Sequence, residues 1–247
     1  MARRRFFVDG FRKGQAEIAG DEAHHLTRVL RVEKGHRYEV SDNQSAWLAE
    51  VTEAHKSRVT FTLLEPVASS PLPVRLTLAA SLIKFDHFEW LLEKGTELGV
   101  ERFIPVIADR SEKGLDRAVP KRAERWRRIL IESSQQCRRD RLPELAEAAP
   151  FREALGEAGD VRIRLEEERG ARYLSRVAPE AKSAADRVVL LTGPEGGWTD
   201  REREQASGAG WLAATLGPQI LRAETAAITG VAVVVNLWGA ALEATGP

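Results

Sequence analysis

The sequence predicts a small β-rich N-terminal domain followed by an α/β domain built on a parallel sheet. Three observations predict it. Short β-forming segments separated by turn residues fill the first 70 positions. The segment Ala68-Ser69-Ser70-Pro71-Leu72-Pro73 has the Pro- and Ser-containing composition of a linker. After it, apolar runs alternate with helical patterns, as in a parallel sheet covered on both faces.

Taken in order, strands are expected at residues 37–40, 47–52 and 58–64, with Asp42-Asn43 marking a turn. A helix interrupts them near Asp21, with Leu26, Val29 and Leu30 on one face and Gly35 beyond its end. The domain boundary falls at the linker, giving domains of residues 1–70 and 74–247. Strands then follow at 75–83, 102–107, 161–165, 188–192 and 212–216, and a helix carries Phe88, Leu91 and Leu92. The run from Ala226 to Leu242 is mostly apolar but contains Thr229 and Asn236 beside Glu224 and Glu243. It reads as a helix buried in a core or a subunit interface, not as a membrane span.

Composition narrows the function. The 247 residues are 43% hydrophobic, enough to bury a sizeable core. Lys+Arg and Asp+Glu both number 37, so any polyanion footprint must be local. One cysteine, Cys137, excludes an internal disulfide and a multi-cysteine zinc cage, and it suits a reducing cytoplasm. The basic start Met1-Ala2-Arg3-Arg4-Arg5 lacks the apolar run of a secretory signal, so a cytoplasmic protein is expected. His24-His25 has no complementary Cys/His set, and no metal is expected.

Two segments carry chemistry. The apolar run 187–192 passes into Gly193-Pro194-Glu195-Gly196-Gly197-Trp198, and Thr199 with Glu202 has capping-box spacing, so a helix starts just beyond. Leu216-Gly217-Pro218-Gln219-Ile220-Leu221-Arg222-Ala223-Glu224-Thr225-Ala226 likewise follows a strand and precedes a helix. Ligands of open α/β sheets gather at such strand ends, and glycine lets them approach main-chain amides. Neither segment is a GxGxxG dinucleotide loop or a phosphate loop. Two of them could sandwich an adenosine, although such a turn is also a common structural device, and Glu224 also complements a helix dipole.

GPEGG at Gly193–Gly197 combined with LGPQILRAETA at Leu216–Ala226 closely resembles the RsmE family of small-subunit (16S) ribosomal RNA uridine-N3 methyltransferases, of the SPOUT class. Further matches run along the chain: His25-Leu26, Val29-Leu30-Arg31 and Gly35; Lys84 with Glu89; Lys94 with Glu97-Leu98-Gly99-Val100; Arg110-Ser111; and Gln136-Cys137 with Arg139 and Pro143. The resemblance implies a PUA-like N-terminal β-barrel, a SPOUT-class α/β domain with a C-terminal trefoil knot, a homodimer, and S-adenosylmethionine as cofactor. Its expected contacts are Leu191, Gly193, Glu195, Gly196 and Gly197, then Leu216, Gly217, Ile220, Leu221, Arg222, Thr225 and Ala226, with Leu165 at a neighbouring strand end. The implied substrate is 16S ribosomal RNA, naked or within the assembled small subunit.

Methylation at carbon-5 of uracil would normally need a cysteine nucleophile, and Cys137 reads better as a packing residue. Methylation of a ring nitrogen needs loss of the imide proton, stabilisation of the anion and in-line placement of the methyl donor. Arg139 or Arg222 is the candidate for the anion, because arginine keeps its charge and faces carbonyl oxygens with a fork. Glu195 or Glu224 is the candidate proton acceptor. For RNA phosphates the sequence offers Arg3, Arg4 and Arg5, then Arg28, Arg31 and Lys34 beside Arg37, and Arg139 with Arg138 and Arg141. A further run, Lys121, Arg122, Arg125, Arg127 and Arg128, reads equally well as a solvated helix face. The strand-end loops alone would also suit a ribose 2′-hydroxyl or other base methyltransferase, or an RNA-binding assembly factor with a vestigial pocket.

Overall fold

The computed structural model describes residues 4–69, 71–168 and 170–245. It divides into two compact units, residues 1–71 with 131–142, and residues 72–130 with 143–247.

The first unit is a curled five-stranded sheet. Its strands are β1 (Arg5–Phe7), β2 (Gln15–Ala19), β3 (Arg37–Ser41), β4 (Ala46–His55) and β5 (Arg58–Pro66), in the order β1-β3-β4-β5-β2. All neighbours pair antiparallel except β1 with β3. Alternation dictates the inside: Ala16 and Ile18 of β2 and Val59 and Phe61 of β5 are buried, with polar residues between them. They meet Phe6, Val40 and Val51, and α1 (Gly20–Arg28) covers the cluster with Ala23 and Leu26. This helix ends earlier than its apolar pattern predicts. Val29 lies beyond it and is 60% exposed, because the chain leaves the helix there and Arg31 takes a positive φ of 51°.

The end of a long helix belongs to this unit. In α3 (Leu115–Cys137) the last turns, from Ile131, and the segment to Leu142 group with the β-sheet. Gln135 donates to Glu22 at 3.1 Å, the Ser41 hydroxyl donates to the Asp140 carbonyl at 2.8 Å, and the Leu142 amide donates to Asn43 at 2.8 Å.

The second unit is an all-parallel sheet. Its central strands are β6 (Arg75–Ser81), β7 (Arg102–Ile107), β10 (Val161–Leu165), β12 (Arg187–Thr192) and β13 (Leu212–Thr215). Three two-residue strands, β8 (Glu144–Leu145), β9 (Ala149–Pro150) and β11 (Arg172–Tyr173), extend its edges. The main order is β11-β13-β10-β12-β6-β7-β8. The inner strands are near-continuous apolar runs because both faces are covered. On one face lie α2 (Phe85–Glu97), the first part of α3 and α7 (Ala223–Thr245), meeting the sheet through Phe88, Leu91, Trp126, Val231 and Trp238. The other face packs α4 (Phe151–Ala154) and α6 (Asp200–Gly208) through Phe151, Trp198 and Ala206. A short α5 (Leu174–Val177) completes the unit.

Helix α7 contains the apolar run read from the sequence. By length and composition it could cross a membrane. Ala227, Val231, Val234 and Trp238 are fully buried on one face at spacings of 4, 3 and 4 residues. The opposite stripe of Thr229, Val233, Asn236 and Ala240 is uncharged and more open.

Candidate functional site at the carboxyl edge of the parallel sheet

Chain order reverses across the middle of this sheet. From β6 the chain proceeds to β7 on one side, and β10, β12 and β13 fill the other. The loops after β6 and β12 therefore flank a switch point, where an open parallel sheet leaves a crevice. They meet directly: the Lys84 amide donates to Glu195 Oε1 at 3.4 Å.

The loop after β12 is fixed by what glycine permits. Gly197 has φ of +67°, and a Cβ there would collide with Glu167 Oε1. A Cβ on Gly193 would press on the Trp198 indole at 3.1 Å, and one on Gly196 would lie 2.9 Å from Arg110 Cβ. Trp198 is fully buried, and its Nε1 donates to the Leu165 carbonyl at 2.8 Å, which ties this loop to the end of β10. Arg110 donates to the carbonyls of Gly196 and Trp198 at 3.1 and 3.2 Å. The expected capping box forms between Thr199 and Glu202, and Glu202 also accepts from the Asp109 amide at 2.9 Å.

A buried ionic hub braces the end of β10. Arg164, 4% exposed at its side chain, pairs at 2.5 Å with Glu166, 6% exposed, and Arg203 adds a second contact at 3.2 Å. Burial pushes the Glu166 carboxyl up, but the hydrogen bonds and charges of Arg164 and Arg203 outweigh it and hold the group below its ordinary range. β10 carries arginines at 162 and 164, and only the fold shows that Arg164 is the one paired in this hub.

The second loop, after β13, is more open. Among the described residues no atom lies within 4 Å of a Cβ added to Gly217, and its amide and carbonyl are both bonded to the Thr215 hydroxyl, at 3.3 and 3.0 Å. Ile220 is 83% exposed and Leu221 37%, so two large apolar side chains face outward beside polar main chain. Leu165 and Leu191 are buried at the strand ends, and Thr225 and Ala226 are half-buried in the first turn of α7.

The candidate catalytic residues do not all share one environment. Glu195 and Arg222 are exposed on the two loops. Glu224 is 4% exposed, its Oε1 lies 3.3 Å from His87 Nδ1, and its buried Oε2 has no hydrogen-bond partner among the described residues. His87, on α2, was not singled out from the sequence, because a lone histidine in a helix carries no spacing signal. Arg139 belongs to the first unit, where its Nε donates to the Arg141 carbonyl at 3.2 Å and its amide to the Ser134 carbonyl at 3.1 Å.

Among the basic candidates, Arg4, Arg28, Arg31 and Lys34 are exposed. Arg3 lies outside the described residues. The structure redirects Arg5. It is 4% exposed and bonded to Glu39, at 3.0 Å, and to Asp140, so its charge is neutralised inside the fold and not offered to a phosphate.

A parallel sheet whose glycine-rich loop after β12 meets the loop after β6 at a switch point, together with a separate small β unit, defines a ligand-binding α/β enzyme with an accessory domain. Residues 70–235 match the model of the RNA methyltransferase domain, and residues 18–64 match that of the RNA methyltransferase PUA domain. The chain belongs to the ribosomal RNA small subunit methyltransferase E family. It is 30% identical to the Bacillus subtilis member over 88% of both chains, and 35% identical to the Synechocystis member over 86% of this chain and 70% of that one. Among solved structures it is similar to the Neisseria gonorrhoeae enzyme of that name bound to S-adenosyl methionine, with TM-score 0.85, 30% identity and coverage of 96% and 98%. A Legionella pneumophila protein solved with SAM gives TM-score 0.86 at 28% identity, with coverage of 97% and 98%.

Proposed function

We propose that this chain transfers a methyl group from S-adenosylmethionine to N3 of a uridine in 16S ribosomal RNA of the small subunit. One observation carries the reading: the two motif loops stand at the carboxyl ends of β12 and β13, the strands on either side of β10, one locked by Gly193, Gly196 and Gly197, the other exposing Ile220 and Leu221 beside open space at Gly217. That arrangement fits a nucleoside laid between apolar side chains and main-chain amides. The relatives' names and the SAM-bound neighbours support the same cofactor and substrate class.

The cofactor would be held by the Gly193–Gly197 loop, by Leu216, Gly217, Ile220, Leu221 and Arg222, and by Thr225 and Ala226, with Leu165 and Leu191 forming the floor. Bound there, it supplies an electrophilic methyl on a sulfonium. The protein's own residues supply the rest. Arg222 or Arg139 stabilises the charge that develops on the uracil carbonyls as the imide proton departs. Glu224 or Glu195 accepts that proton. Glu224 is suited to it by its buried, unpartnered Oε2, which has unused acceptor capacity.

Residues 1–70 act as the RNA-binding domain through Arg4, Arg28, Arg31 and Lys34, and residues 74–247 carry the reaction. The uncharged outer stripe of α7 supports a homodimer through that helix, and the return of α7 onto β6 and β12 after β13 supports a C-terminal trefoil knot. A cytoplasmic location follows from ribosomal RNA as substrate. Methyl transfer from labelled cofactor to RNA, with identification of the modified nucleoside, tests the reading.

A further inference from the structure

We infer that the exposed face of α3 is a second RNA-binding surface, on the sheet-bearing unit itself. Arg117, Lys121 and Arg128 follow the phosphates of the substrate strand, which reaches the carboxyl edge of the sheet at a cavity that Arg117 helps to line. The inference rests on RNA being the substrate.

The charge of this segment departs from the chain as a whole. Residues 115–130 hold six cations, at positions 117, 121, 122, 125, 127 and 128, against two anions, Asp116 and Glu124, in a protein of zero net charge. The helix turns Val119, Trp126 and Leu130 into the core. Arg122 and Arg125 are engaged within the fold: both pair with Glu89, at 3.4 and 2.8 Å, and Arg122 also lies over the Phe85 ring. Arg117, Lys121, Arg127 and Arg128 are exposed, and among the described residues no ion pair or hydrogen bond engages their side chains.

Two of these positions, Arg117 and Lys121, work against the helix. Arg117 stands in its first turn, where the dipole disfavours a cation, and Arg117 with Lys121 is a like-charge pair at i,i+4. Glu124 falls on the same stripe and leaves it net positive. An external polyanion removes both penalties. Spacings of 4 and 7 residues put Arg117, Lys121 and Arg128 on one face, and eleven residues of helix extend about 16 Å, enough to follow several phosphates.

The stripe ends at a place where a base could leave the stack. A cavity of about 520 Å³ opens at the carboxyl ends of β6 and β7, with Leu82 and Ile107 as its apolar walls, the Ser111 hydroxyl beside them, and Lys113 and Arg117 at its edge. Its size fits a nucleoside and its apolar walls suit a base; Glu112 and Asp116 balance Lys113 and Arg117 in its lining, so the phosphate contacts are assigned to the helix stripe and not to the cavity. Leu82 precedes Ile83 and Lys84, whose amide contacts Glu195, so the cavity adjoins the candidate site.

The test compares the wild type with Arg117→Ala/Lys121→Ala/Arg128→Ala. Anisotropy of a labelled small-subunit RNA fragment across a salt series gives the slope of log affinity against log salt. The slope should become shallower by about 2, since a single-strand phosphate contact contributes roughly 0.7. The KM for RNA should rise at least tenfold, with kcat at saturating RNA within twofold and calorimetric cofactor affinity unchanged. Unaltered slope and KM in the folded variant overturn the inference. So does an equal change in the charge-matched control Arg152→Ala/Arg176→Ala/Lys182→Ala. If the wild type neither binds nor methylates RNA, the functional reading fails and this surface with it; if it does both and the triple variant matches it, the surface alone fails.

Discussion

Gly197 and Gly217 occupy similar strand-end turns under opposite constraints. Gly197 needs its positive φ and has a carboxylate oxygen where a Cβ would stand, whereas a Cβ at Gly217 would meet nothing within 4 Å among the described residues. Gly197→Ala should therefore cost on the order of 1 to 3 kcal/mol of stability. Gly217→Ala should melt like the wild type within about 0.5 kcal/mol. If a cofactor lies against the main chain of that loop, calorimetry on Gly217→Ala will show at least tenfold weaker SAM binding without loss of fold. Unchanged binding would place the cofactor elsewhere. For the chemistry, Arg139→Ala or Arg222→Ala should lower kcat by roughly 10²- to 10³-fold, the effect of removing one anion-stabilising donor. Normal turnover in both folded variants rejects that assignment. These residues were legible as types in a motif. That Glu224 faces His87 was not, because the contact joins positions 137 residues apart in the chain.

At the scale of elements, the ends of β10 and β12 are held together by Arg164, Glu166, Arg203 and the Trp198 indole. The Glu166 carboxyl is held below its ordinary range in the folded protein. A depressed carboxyl contributes stability that is complete above its unfolded value and is lost as pH falls through its folded value. Wild-type stability should accordingly decline as pH drops below the ordinary glutamate range, about 4.3. Glu166→Gln should be less stable at pH 7 by on the order of 2 to 3 kcal/mol, because it leaves Arg164 buried with a weaker partner. Thermal melts from pH 7 to pH 3 should show the two proteins converging in acid; a constant gap would mean that Glu166 does not titrate as described. The major strands were legible because apolar runs bounded by turns survive in any context. The two-residue strands β8, β9 and β11 were not, since they exist only by pairing with a sheet already formed. Nor was the early end of α1, where Val29 keeps the apolar period but the backbone leaves the helix.

For the whole molecule, the change of texture near residue 70 was visible, while the return of residues 131–142 to the first unit was not. It depends on Gln135, Asp140 and Leu142 finding partners in α1, at the end of β3 and in the turn after it, which no periodicity encodes. Charge reversal at Arg28 and Arg31 should weaken RNA binding at least tenfold and leave SAM affinity unchanged; unaltered RNA affinity would remove the first unit's helix from the interface. The open stripe of α7 predicts a two-chain mass in analytical ultracentrifugation and a shift toward one chain in Asn236→Arg/Ala240→Arg. The atom that receives the methyl group defines the reaction. The measurement that tests it most directly is transfer from labelled S-adenosylmethionine to undermethylated small subunits and to naked ribosomal RNA, followed by nuclease digestion and chromatography of the labelled nucleoside. The expected product is 3-methyluridine. A ribose-methylated nucleoside, another methylated base, or no transfer to either substrate by a protein that binds the cofactor would contradict it.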